Sequence, residues 1–321
     1  MPRFTAYTDN QLTGLAASLF DRIYTEVSGL DITAYWSEEP LAYSKRRSGK
    51  KLDLKVGDVW GGLFDCAWFN FRGKVPTSAG GKAGVPVRGL TMKDSGFGIS
   101  PPGKQVVQVA RKARGGETIN TWADAGLNDL FGNLKNDGRV QTAAIALCDD
   151  EMRSLAFDFI VLHDFWQSAP KESPRSKQIR HALQLVAAAM IDFTAAEVRE
   201  ARKILAPVLA KKNGDASLQI TAIGHAHLDL AWLWPERETK RKGARTELIA
   251  RYPEYIFGAS QPQLFQWMKE EHPALYRKIK KKVKQGRIEP QGAMWVESDT
   301  NTPCGESLVR QLLYGKRFFK E

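Results

Sequence analysis

His225-Ala-His-Leu-Asp-Leu-Ala-Trp-Leu-Trp-Pro235 follows the apolar run Leu218-Gln-Ile-Thr-Ala-Ile-Gly224, and the reading of this junction decides the fold. In an extended chain, residues two apart share a face, so 218–229 as a strand places His225, His227 and Asp229 on one side. Ile220 and Ile223 are expected to help anchor that strand in a core. Imidazole nitrogen and carboxylate oxygen at this spacing suit zinc, but a zinc site uses about four positions, so further ligands must come from elsewhere. Taken alone, H-x-H-x-D reads equally well as two histidines satisfying backbone groups at a strand end and an aspartate capping the next helix.

The sequence downstream favours a site. Pro235 is well placed as a first helical residue, and a charged helical stretch runs from Glu236 to about Arg251. Tyr255-Ile-Phe-Gly-Ala-Ser-Gln261 reads as a short buried strand, Pro262 to Gln285 as helical with a break at Pro273, and Arg287 to Val296 as a third strand. Pro290 is awkward in the middle of that strand. A last helix is expected from about Pro303 to the end. Three strand–helix alternations argue for parallel βα units with right-handed crossovers, in which sites form at the carboxyl ends of the strands. The H-x-H-x-D, Ser260-Gln261 and the Glu297/Asp299 pair all fall at such ends.

These blocks resemble the start of the catalytic domain of class II α-mannosidases, glycoside hydrolase family 38. The residues that carry the likeness are Gly224 to Thr239, Lys242-Gly-Ala-Arg-Thr246, Pro253 to Gln261, Trp295-Val-Glu-Ser-Asp-Thr-Asn301, Gly305-Glu-Ser-Leu-Val-Arg-Gln311 and Tyr314-Gly315. A weaker likeness extends back through Gly57-Asp-Val-Trp-Gly-Gly62 and Asn128-Asp-Leu-Phe-Gly132. The resemblance implies that His227 and Asp229 are zinc ligands and that a mannose ring packs on Trp232. It puts His225 at a position that does not touch the metal and orients the residues that do. For Glu297 and Asp299 two roles stay open: hydrogen bonds to sugar hydroxyls, or capping and salt bridging. The family's nucleophile segment, of the form W-x-P-D-x-F-G, is absent, as are the acid/base carboxylate and the remaining zinc ligands. The chain is therefore expected to be an amino-terminal portion of a longer enzyme, inactive by itself, because three βα units cannot close a barrel.

The implied whole is a zinc-dependent retaining α-mannosidase acting on mannose-containing oligosaccharides. Two other classes compete with it. A metal-dependent amidohydrolase would use both His225 and His227 as ligands, leaving Asp229 and Trp232 incidental. A noncatalytic carbohydrate-binding module or scaffold would need no carboxylate pair.

Composition narrows the field further. With 43% hydrophobic residues, 321 residues suffice for two ordinary domains. No apolar run approaches the ~18 residues that span a bilayer, so no membrane partner is expected and a cytoplasmic location is the default. Leu12, Leu15, Leu19, Ile23 and Val27 mark an amphipathic leading helix instead of a signal segment. Three scattered cysteines, Cys66, Cys148 and Cys304, argue against a disulfide framework. The net charge of +11 raises the question of nucleic acid. In the densest run, Arg277 to Arg287, the lysines form the solvated face of a helix whose other face carries Leu264, Met268, Leu275, Ile279 and Val283. No recognition motif accompanies the charge, so no nucleic-acid partner is expected. Self-association is left open.

The first half differs in grain. Short apolar runs, Ala67-Trp-Phe-Asn-Phe71, Gln105-Val-Val-Gln-Val109 and Val140 to Leu147, sit among Gly and Pro and suggest a sandwich. Trp60, Trp68 and Trp122 read as core residues in preference to a sugar platform. A helix starting at Ser173-Pro174 and another opened by the capping box Thr194-Ala-Ala-Glu197 form a connector. The expected division is a β-rich domain with a leading helix over 1–168, a helical connector over 169–216, and the first three βα units of an incomplete parallel β/α barrel over 217–321.

Overall fold

A computed structural model describes residues 7–80, 83–88, 106–127, 138–212, 221–225, 227–231, 234–243 and 255–321. Helix α1 (Asp9–Asp21) opens on a capping box between Thr8 and Gln11 and buries Leu12, Ala16 and Leu19. It is shorter than the heptad-like run suggested. Ile23 lies beyond its end, and Val27 falls in the first strand, β1 (Tyr24–Gly29), at an irregularity in its pairing.

Among the described residues, ten strands follow the leading helix: β1, β2 (Asp31–Ser37), β3 (Lys50–Leu54), β4 (Val59–Gly61), β5 (Cys66–Lys74), β6 (Ala83–Arg88), β7 (Val106–Lys112), β8 (Thr118–Gly126), β9 (Gly138–Arg139) and β10 (Ala144–Cys148). They form two antiparallel sheets, ordered β1-β10-β6-β7 and β3-β2-β5-β8, with a small β4-β9 pair. Alternation builds the core between them. On β5 Ala67, Phe69 and Phe71 are buried in one cluster with Ile32 and Ala34 of β2, Ile119 of β8 and Ile145 of β10. Each buried phenylalanine stabilises by about 1.5–3 kcal/mol relative to exposure. Trp60 joins this core edge-on to Phe69, centroids 5.3 Å apart. Trp68 and Trp122 do not. They are only partly buried, Trp68 donating its indole N–H to the Leu41 carbonyl and Trp122 lying under the Arg46 guanidinium.

Strand β10 runs directly into α2 (Asp150–Ser168), whose N-cap Asp149 accepts from the amides of Glu151 and Met152. The reading from sequence places no helix there. Helices α3 (Pro174–Ala189) and α4 (Ala195–Leu209) start at Ser173 and at the Thr194/Glu197 capping box as expected. All four helices share one core, with Leu12 and Leu19 meeting Leu155, Phe159 and Trp166, then Ile179, Leu183 and Val186, then Val198 and Leu205. The expected helical pair therefore has α1 and α2 as packing partners.

The last part alternates strand and helix. Gly224 makes a parallel bridge to β11 (Phe257–Ala259), and β11 pairs in parallel with β12 (Ile288–Pro290). Between and after them come α5 (Glu236–Gly243), α6 (Pro262–Glu271), α7 (Pro273–Lys284) and α8 (Gly305–Lys320). The break at Pro273 is as read from sequence, and the strands are much shorter than the stretches proposed for them. Pro290 is tolerated because β11 is bonded through Arg287 and Gln291, whose carbonyl and amide meet Phe257 N and Ala259 O, so the ladder does not call on the missing N–H of Pro290. Ile223 corrects an expectation: it is 63% exposed and anchors no core. Only Gly224 pairs with the neighbouring strand among the described residues of that stretch, and Ile220 lies outside the described residues. Met268, Ile279 and Ile288 form the buried cluster of this part with Phe265 and Phe318, while Lys278, Lys280, Lys281 and Lys284 are exposed.

Candidate metal centre

Gly224, bridged in parallel to β11, leads directly into the two histidines at one edge of the parallel ladder. Gly224 lies against the Tyr255 ring so closely that a Cβ there would overlap it, which is why the residue before His225 has no side chain. His225 Nδ1 donates to the Gly258 carbonyl at 2.9 Å, and its ring stacks on Phe257 at 6.3 Å between centroids. This bond leaves Nε2 of a neutral His225 with the lone pair.

His227 sits between two carboxylates. Its Nδ1 is 2.7 Å from Glu297 Oε2 and its Nε2 is 3.0 Å from Asp229 Oδ1. The Asp229 carboxylate, followed by Glu297, raises the His227 pKa above the ordinary imidazole value by stabilising the cation. The other Glu297 oxygen accepts from the Ser260 hydroxyl. Ligand atoms of His225, His227 and Glu297 all lie within 4.8 Å of one another, the one such group of three among the described residues.

The loop carrying Glu297 is held by α8. Gln311 receives the Trp295 amide on its backbone carbonyl at 3.0 Å and the Val296 amide on its side chain at 2.9 Å. The Trp295 indole donates to Gln263 at 2.9 Å and packs edge-on to Phe318. Gly315 lets α8 approach this loop, since a Cβ there would overlap the Ala293 carbonyl. Asp299 turns back on its own chain, accepting from Asn301 N at 2.8 Å and Thr302 Oγ1 at 3.2 Å.

The structure therefore brings His225, His227, Asp229 and Glu297 together and gives Asp299 a local capping role. Trp232 lies outside the described residues. Sequence reasoning placed Ser260-Gln261 at a strand end without a role and passed over Thr239, which is fully buried; the structure makes Ser260 a partner of Glu297. A threonine or glutamine that serves backbone groups has no periodic signature, so only a three-dimensional arrangement identifies it.

Residues 217–321 match the glycosyl hydrolases family 38 N-terminal domain, and residues 27–151 match the α-mannosidase jelly roll domain. The chain is similar to alpha-mannosidase G of Dictyostelium discoideum, 30% identical over 88% of this chain and 28% of that protein. It is 28% identical to alpha-mannosidase 2C1 of Mus musculus over 98% of this chain and 32% of that protein. It is 34% identical to alpha-mannosidase of Saccharomyces cerevisiae over 62% of this chain and 21% of that protein. The chain thus spans a third or less of the length of these relatives. An α-mannosidase jelly roll ahead of a family 38 N-terminal domain, with homology to named α-mannosidases along most of its length, makes this chain a member of glycoside hydrolase family 38.

Proposed function

We propose that this chain supplies the zinc-binding entry to the active site of a retaining α-mannosidase, with the parallel units of 217–321 as the start of its β/α barrel. The observation that carries the reading is His227 held between Asp229 and Glu297, three residues after the Gly224 bridge to β11, within the family 38 match. The donor set fits zinc, since one imidazole nitrogen faces a carboxylate ligand while the other is fixed by a second carboxylate, the usual way a metal-bound histidine is oriented. We assign His227 Nε2 and Asp229 as ligands and Glu297 as the acceptor of His227 Nδ1–H. His225, tied to Gly258, supports the loop. Zinc bound there would hold sugar hydroxyls and stabilise charge as the ring distorts, without generating hydroxide.

Retention requires two carboxylates roughly 5 Å apart, one attacking the anomeric carbon and one protonating the leaving oxygen. Asp229 and Glu297 are both committed to His227, so neither is assigned to that pair. Residues 1–321 taken alone are accordingly proposed to be catalytically silent. Trp232 is assigned as the floor for the sugar ring. Glu297 and Asp299 are assigned as hydrogen-bond partners of sugar hydroxyls, which would exchange with Ser260, or with Asn301 and Thr302. Among the described residues no helix is long and apolar enough to cross a membrane. The three free thiols, one of them exposed, suit the reducing cytoplasm that we infer as its location.

The grouping of His225, His227 and Glu297 supports a second ligand set, in which His225 Nε2 binds the metal directly, as an amidohydrolase-like site would have it. His225→Ala separates the two. The mannosidase reading expects a loss of zinc affinity of about 10 to 100-fold, whereas a ligand role expects zinc to be lost.

A further inference from the structure

Thr239 on α5 is 0% exposed, and its one hydroxyl serves three partners. It donates to the Asp229 carbonyl at 2.9 Å and accepts from the Ala231 amide at 3.2 Å and the Trp234 indole N–H at 2.9 Å. One proton and two lone pairs are the whole capacity of a hydroxyl, so nothing is left for solvent or substrate. All three partners lie in 229–234, the segment that begins at the assigned ligand Asp229 and contains Trp232. Within it Ala231 has φ 62°, a left-handed conformation that a residue with a Cβ keeps only where its surroundings hold it. The adjoining residue Leu228 is held as well. Gln261, 4% exposed, donates to the Leu228 carbonyl at 3.0 Å and accepts from the Glu297 amide at 3.3 Å.

We propose that Thr239 is a positioning residue for the metal centre, tying Asp229, Ala231 and Trp234 to α5 so that the Asp229 carboxylate stays on the His227 side of the site. This rests on the zinc reading only for its purpose, since the geometry of the brace does not depend on a metal. A valine at 239 keeps the shape of the side chain and removes the hydroxyl, whereas serine keeps the hydroxyl.

The test compares the native gene product with Thr239→Val and Thr239→Ser by three measurements. These are amide hydrogen exchange in peptides covering 227–236, zinc affinity by competition with a chromophoric chelator, and thermal unfolding. Thr239→Val is expected to speed exchange in that segment and to weaken zinc by about 10 to 100-fold, with Thr239→Ser restoring both. Exchange and affinity unchanged in Thr239→Val would overturn the proposal. So would a serine variant as impaired as the valine one with a matching fall in Tm, which is the signature of packing alone. If Thr239→Val does not fold, Trp234→Phe removes one of the three bonds and must speed exchange in the same peptides, or the brace is refuted. Failure of the unaltered protein to take up zinc would sink the metal reading, while the exchange comparison would still decide the brace.

Discussion

His227 carries the chemistry at the smallest scale. With Asp229 and Glu297 on its two nitrogens, the imidazolium is favoured, and its pKa lies above the ordinary imidazole value. Without metal, this contribution to folding is fully present below the unfolded imidazole pKa and is lost as pH rises through the raised one. Zinc bound as proposed would have to displace the proton from Nε2, so affinity is expected to fall as pH drops through the raised pKa, starting higher than for a free imidazole. Glu297→Gln removes one of the two stabilising charges. We expect it to weaken zinc binding at high pH by about 10 to 100-fold and to move the fall in affinity to lower pH. Zinc titrations between pH 5.5 and about 8.5, bracketing the ordinary histidine range, check this, and an unmoved midpoint would count against Glu297 as the partner of Nδ1.

At the scale of elements, caps were legible from sequence and α2 was not. Thr194 accepts from Glu197 N at 3.3 Å and Glu197 accepts from Thr194 N at 2.9 Å, the reciprocal pair that the S/T-x-x-E spacing announces. Thr194→Ala is expected to lower unfolding stability by about 1 kcal/mol in urea titrations at neutral pH. The Thr194 backbone N–H holds the Glu197 carboxyl below its ordinary value, so this part of the cap is intact above the ordinary carboxylate pKa and is lost as pH falls below it. Helix α2 had signals too: the cap Asp149 and buried Met152, Leu155, Phe159, Leu162 and Trp166 at helical spacing. The pattern was blurred by Phe157, Val161 and Phe165, which are 54%, 58% and 48% exposed and make the run apolar nearly all round. In the parallel units the order of strands and helices was legible, because Pro and Gly punctuate it. The strand lengths were not, since a three-residue pairing such as β11 with β12 leaves the flanking apolar residues to loops whose conformation depends on distant partners. The H-x-H-x-D motif pointed to the site, whereas Glu297 reaches His227 from 70 residues away and only the fold brings it there.

On the scale of the molecule, a jelly roll and a four-helix core precede a part in which the Gly224 bridge and the parallel β11-β12 pair alternate with helices, and the assigned ligands His227 and Asp229 closely follow Gly224. Helix α8 still shows Val309, Leu312, Leu313 and Tyr314 at 59%, 47%, 42% and 47% exposure. Residues 1–321 alone are expected to show no hydrolysis of an aryl α-mannoside with added zinc. Chelator-sensitive turnover by that polypeptide, abolished by Asp229→Ala, would show that its own residues complete the carboxylate pair. Metal analysis of the native gene product beside His227→Ala and Asp229→Ala decides whether these two residues are the zinc ligands. Stoichiometric zinc is expected in the unaltered protein, and its loss, together with α-mannosidase activity, in both variants. Stoichiometric zinc retained in both would contradict the ligand assignment.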